Sequence, residues 1–157
     1  MRNLRLALMQ ILALSLLLGG MLSGCGKQEA ATSPKANAVI RQPAPDDASV
    51  YFVTPADGAT VTSPVRLEFG ADGMTIVAAG TEQAFSGHHH LLIDVELPSS
   101  DLPIPKDANH IHFGDGSFST EISLEPGPHT LQLLLGDHRH IPHDPPVLSN
   151  RISITVE

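Results

Sequence analysis

The chain has 157 residues, with 17 acidic against nine basic side chains and a formal net charge of −8 at pH 7. So acidic a chain is a poor partner for nucleic acid and for anionic headgroups and a better one for cations, which excludes nucleic-acid binding from the readings that follow. It holds a single cysteine, so no internal disulfide can form and the fold must rest on its core.

The first 25 residues carry Arg2 and Arg5, then an apolar run from Leu6 to Leu18, then small residues up to Cys25. That order marks a secretory signal over residues 1–25, and its apolar part is shorter than the roughly 20 residues a spanning helix needs. The Leu22–Ser23–Gly24–Cys25 end resembles a bacterial lipobox. The resemblance implies an exported protein whose Cys25 thiol carries the lipid that anchors it to a membrane. Gly26 is not the aspartate that resembles an inner-membrane retention signal, which favours the outer membrane and a domain facing the periplasm. Residues 26–49, rich in Ala, Pro, Lys and Gln, read as a flexible tether. Residues 50–157 are the size of one domain.

Apolar runs within that domain alternate or are short, and Gly, Pro, Asp or Asn bounds each of them. The spacing predicts strands over Val50–Thr54, around Val65, Leu67 and Phe69, over His88–Leu97, Phe118–Leu124 and His129–Leu135, and around Ile152, Ile154 and Val156. Turns are expected at Pro55–Gly58 and Glu125–Pro128. About seven short strands without a helix predict an all-β fold, an antiparallel immunoglobulin-like β-sandwich.

The opening VTPADGATVTSPVRLEF is similar to the first two strands of bacterial immunoglobulin-like domains. GHHHLLIDVELP, HIHFGDG and PGPHTLQLLLGDHRHIPHDPPVLSNRISITVE together resemble the domain-of-unknown-function family 4399, over essentially all of Val50 to Glu157. The resemblance implies an exported, mostly β domain and supplies no activity, so the chemistry has to come from the side chains.

All nine histidines lie between His88 and His143. Alternate residues of a strand face the same side, so His88 with His90, and His110 with His112, can each offer two imidazoles to one metal. A third set, His138, His140 and His143, sits in the loop GDHRHIPHDPP after a strand, where function often resides. Imidazole suits copper(II), zinc(II) and nickel(II), with copper usually the tightest. Copper or zinc is therefore the expected ion, with His88, His90, His110 and His112 as leading ligands and His138, His140 and His143 as further candidates. Asp94, Asp137 and Asp144 are candidates to accept the second ring proton of a ligating histidine. His89 shares the parity of Leu91 and Ile93 and is expected to be buried and hydrogen-bonded, and His129 is expected to be structural. Histidines also titrate near pH 6.5, so pH sensing is a competing use.

Other chemistry is limited by what the chain lacks. A blue-copper centre needs a free thiolate, and Met74 is the only methionine after the leader. No G-x-S-x-G, H-E-x-x-H or P-loop is present, and Asp115–Glu121 lacks calcium-loop spacing. His110–Gly114 has a thin likeness to the H-x-H pair of copper–zinc superoxide dismutases, without that family's disulfide or long metal loop. The resulting expectation is a non-enzymatic envelope lipoprotein that binds a divalent metal. An envelope module that recognises a protein or glycan is the alternative, and a dismutase-like enzyme the third reading.

Overall fold

The computed structural model describes residues 39–157. The signal segment, Cys25 and most of the tether lie outside the described residues, among which there is no α-helix. Nine strands are present: β1 (Ser49–Thr54), β2 (Thr60–Val61), β3 (Val65–Asp72), β4 (Thr75–Ile76), β5 (Ser86–Ile93), β6 (His110–His112), β7 (Ser119–Ile122), β8 (Gly127–Gly136) and β9 (Ile152–Val156). Six of them are the predicted strands. β2, β4 and β6 have two or three residues each, too few for a period-2 pattern to show.

One sheet runs β1-β3-β7. The other runs β2-β9-β8-β5-β4, with β6 also paired to β5. Most pairs are antiparallel, while β2 with β9 and β4 with β5 are parallel. The fold is thus an all-β sandwich, as the alternation predicts. Val65, Leu67 and Phe69 of β3 face Leu91 and Ile93 of β5, Leu131, Leu133 and Leu135 of β8, and Ile152, Ile154 and Val156 of β9 in one core. Each such side chain contributes about 1.5–3 kcal/mol by leaving water.

The second sheet is also covered on its outer side. Leu92 of β5 and Leu134 of β8 pack there with Ile104 in a smaller cluster beneath the connecting loops. All eight residues of β5 are therefore buried, although only alternate ones reach the main core. β5 stops sooner than predicted because Asp94 adopts a left-handed φ of 56°. Its carboxylate there accepts the Thr130 N–H at 2.7 Å.

The described part of the tether lies along the domain. Arg41 donates from Nε to the Pro142 carbonyl at 3.0 Å, and from its guanidinium to the His143 carbonyl and to Asp144. Asp144 N–H donates to the Gln42 carbonyl at 2.9 Å, and Ala44 N–H to the Asp144 carbonyl at 3.1 Å. Ala44 is itself buried in the core. The packed domain thus extends before Val50, where these residues complete the backbone hydrogen bonding of the 137–144 loop.

Candidate metal centre

On β5, His89, Leu91 and Ile93 face the core, so His88, His90 and Leu92 face the outer side. β6 pairs with β5 so that His112 lies opposite His90, which brings its ring to the same side. β8 flanks β5 on its other edge, with Gly136 opposite His88. The chain then turns through the loop that carries His140.

Two glycines make room for these rings. A Cβ on Gly136 would sit 2.7 Å from His90 Cε1 and 3.2 Å from Ile104, and one on Gly114 would sit 2.5 Å from His112 Cε1. Neither space admits a methyl group without moving a ring.

Asp137, 1% exposed, shapes the loop. Its carboxylate accepts the N–H groups of Arg139 at 2.7 Å and Ile141 at 2.9 Å, and pairs with the Arg139 guanidinium at 3.0 Å. Burial would raise its pKa, but these bonds outweigh that and hold it below the usual carboxylate value. The tight turn leaves His140 in the left-handed region, with φ 67°. Non-glycine residues there are uncommon and gather at functional sites. The His140 backbone is fixed at both ends, its N–H donating to the Asp137 carbonyl and its carbonyl accepting from Ile104 N–H, each at 2.8 Å.

These elements bring together His88, His90, His112 and His140, with one ligand nitrogen from each lying within 4.8 Å of the others. Nε2 of His112 and Nε2 of His140 are 3.1 Å apart. Ring centroids are 4.8 Å apart for His88 with each of His90, His112 and His140. The remaining spacings are 5.1 Å for His90–His112, 5.7 Å for His90–His140 and 4.6 Å for His112–His140. His88 and His90 are fully buried and the other two are partly open to solvent, so the group has a floor and a rim.

Burial, reinforced by repulsion from the neighbouring rings, lowers the pKa of His88 to about 3 and of His90 to about 2. His112 is lowered in the same direction, by burial first and then by His140 and Lys106. These rings are neutral at pH 7, the form that ligates metals. Among the described residues, none of the four nitrogens of His88 and His90 has a hydrogen-bond partner. A buried polar atom left in that state costs about 1–3 kcal/mol, and here four of them accompany two further rings. Four imidazoles fit one transition-metal ion by ligand type.

The remaining histidines go elsewhere. His110 lies one step further along β5, opposite Leu92, and its Nδ1 bonds Asp107 at 2.9 Å. It shares a strand and a face with His112 without joining the group. His138 is half-buried, and His143 is buried with Nε2 3.0 Å from the Ser86 carbonyl and Nδ1 3.4 Å from that of Leu135. Neither belongs to the four. His129 bonds Asp94 through Nδ1 at 2.7 Å and the Glu125 carbonyl through Nε2 at 2.9 Å, a structural role.

His89 is buried as its parity predicts, but its ring nitrogens have no hydrogen-bond partner among the described residues. It packs instead against Phe69 and Phe118, with centroids 5.3 and 5.5 Å away. Burial is the largest influence on its pKa and lowers it to about 4. The three aspartates also differ from expectation: Asp94 serves His129, Asp137 serves backbone and Arg139, and Asp144 serves Arg41. The two glycines escape sequence reasoning, although each precedes an aspartate in a histidine-bearing segment, HIHFGDG and LLLGDHRH.

The molecule is therefore a histidine-bearing all-β domain with a four-imidazole cluster on the outer face of its larger sheet. The chain belongs to the family described as Domain of unknown function (DUF4399), whose model matches residues 67–157, more than half of its length. No curated protein and no solved structure matches it.

Proposed function

We propose that this protein is an exported, lipid-anchored envelope protein whose β-sandwich binds one transition-metal ion, zinc or copper, through His88, His90, His112 and His140. The observation that carries the reading is the set of four unpartnered ring nitrogens on the buried His88 and His90, beside two more imidazoles within ligating reach. A bound ion would take one nitrogen from each ring, and the neutral His88 and His90 rings need shed no proton to accept it. The proposed role is binding, carried by the four histidines that make up the group. The membrane, through a lipid on Cys25, is the second partner, with the outer membrane favoured by Gly26.

The test is elemental analysis of the full chain, purified in detergent without a polyhistidine tag, before and after loading with zinc or copper and desalting. About one ion per chain, lost in a His88→Ala/His90→Ala variant, is the expected result. No retained ion would overturn the metal reading. Release of a Cys25→Ser variant from the membrane fraction is expected, and unchanged lipid labelling of that variant would overturn the anchor.

A further inference from the structure

The identity of the ion is constrained by how the four rings are disposed. In a square of ligands the two diagonals exceed the sides by a factor of about 1.4, the arrangement that copper(II) and nickel(II) prefer. Here the longest centroid separation is 5.7 Å and the shortest 4.6 Å. If His90–His140 were one diagonal, His88–His112 would have to be the other, yet that pair is 4.8 Å apart, no longer than the sides. The six separations are those of a tetrahedron.

Charge balance favours copper(I) over every divalent ion, zinc(II) included, and leaves the choice between zinc(II) and copper(II) to the geometry. A ligating imidazole is neutral, and no carboxylate joins the four. The charge of Asp137 is already paired with Arg139. A bound ion would keep its whole charge on the buried side formed by His88 and His90, where a single charge is less costly than a double one.

We propose that this site, on the reading that it holds a metal at all, selects closed-shell ions that accept a tetrahedron, zinc(II) and copper(I), over copper(II) and nickel(II). The selection reverses the usual order of copper(II) over zinc(II). It is enforced by packing: the His90 and His112 rings rest directly against Gly136 and Gly114, which bars movement toward those backbones, and Asp137 fixes the turn that presents His140. Copper(II) reaching the site is therefore easily reduced. It gains one electron from an external ene-diol such as ascorbate, which loses one electron and one proton to become its radical, and no bond to the protein is made or broken beyond metal–nitrogen bonds.

The experiment loads the tag-free full chain with one equivalent of zinc and challenges it with one equivalent of copper(II), without reductant and then with ascorbate under nitrogen. Zinc is expected to remain in the first step, with less than about a tenth displaced, where the ordinary order predicts nearly complete exchange. In the second step, displacement by copper(I) assigns copper as the preferred closed-shell ion, and retention of zinc assigns zinc; either outcome supports the selection. Ready displacement by copper(II), with the paramagnetic resonance signature of a tetragonal four-nitrogen site, overturns the selection and leaves the metal site standing. Failure to retain any ion overturns both.

A His140→Gly variant guards against misfolding, because glycine adopts the left-handed backbone of that position without strain. Three rings and solvent can flatten around copper(II), so its ratio of zinc to copper(II) affinity should fall at least tenfold. An unchanged ratio in this variant would also overturn the selection.

Discussion

Two kinds of histidine environment lie on the same sheet, and their contrast separates a candidate ligand from a structural histidine. His110 and His129 each have a carboxylate at hydrogen-bond distance, Asp107 at 2.9 Å and Asp94 at 2.7 Å. Bonding to Asp94 and to the Glu125 carbonyl raises the His129 pKa above its usual value. His88 and His90 have no such partner and are driven the other way by burial. At His129 the pairing stabilises a second proton on the ring. At His88 and His90 burial disfavours that proton and leaves each neutral ring a lone pair without a protein partner, the condition under which a metal ion is the better cation.

The sharpest way to break the contrast is to remove an unpartnered ring. His90→Leu should lower zinc affinity by at least 100-fold, and the roughly 2.7 kcal/mol that a ligand at 100 times its dissociation constant adds to stability should disappear. The metal-free variant should unfold at the same denaturant concentration as the parent or higher, since each unsatisfied nitrogen removed relieves about 1–3 kcal/mol. A loss of metal-free stability would show that the ring is held by something other than an ion.

Next in size is Gly136→Ala, which presses a methyl group against His90 with Ile104 behind it. Overpacking of this kind costs about 1–3 kcal/mol, and metal affinity should fall at least tenfold by competition with a chromophoric chelator. Asp137→Ala should come close behind, because it strips the acceptor from the Arg139 and Ile141 N–H groups and frees the His140 loop. Asp137→Asn retains one carbonyl oxygen for those N–H groups and should recover much of the affinity in the same titration.

The smallest effect belongs to the carboxylate-paired side. The raised pKa of His129 means that its contribution to stability is complete below about pH 6.5 and fades as pH rises through its folded value. For Asp94, burial acts upward, but the bonds from Thr130 and His129 outweigh it and hold the carboxyl low. Its contribution is therefore complete above about pH 4 and fades as pH falls through its folded value. The pair should stabilise most between these limits, by no more than about 1 kcal/mol for so exposed a carboxylate. Thermal unfolding of Asp94→Asn and parent from pH 4 to 9 should differ most near the middle of that window and converge in alkali. A gap that persists at pH 9 would mean the pairing is not ionic.

Much of the fold was legible because β3, β7 and β9 alternate, with one face toward the core and one toward water, while β8 is carried by its Leu131, Leu133 and Leu135 although its second half is buried on both faces. β5 was legible as a strand but not as to which face mattered. Both of its faces are buried, so His88 and His90 sit under loops that no periodicity reveals. The H-x-H spacing identified two strand pairs. It could not show that the register of β6 places His112 beside His90 and His110 one step away beside Leu92, because register depends on partners distant in the chain. Nor could local spacing separate His140 from His138 and His143. That separation depends on the Asp137 turn and the left-handed backbone of His140, which are properties of the closed loop.

The four histidines come from β5, from β6 and from the loop after β8, so the group exists only once strands distant in the chain have paired. An ion meeting the nascent domain would find at most the neighbouring histidines of one strand, and the full set would appear only after the slow, non-local steps of β assembly. Metal capture is therefore expected to follow folding, and its rate to report when the sheet has closed.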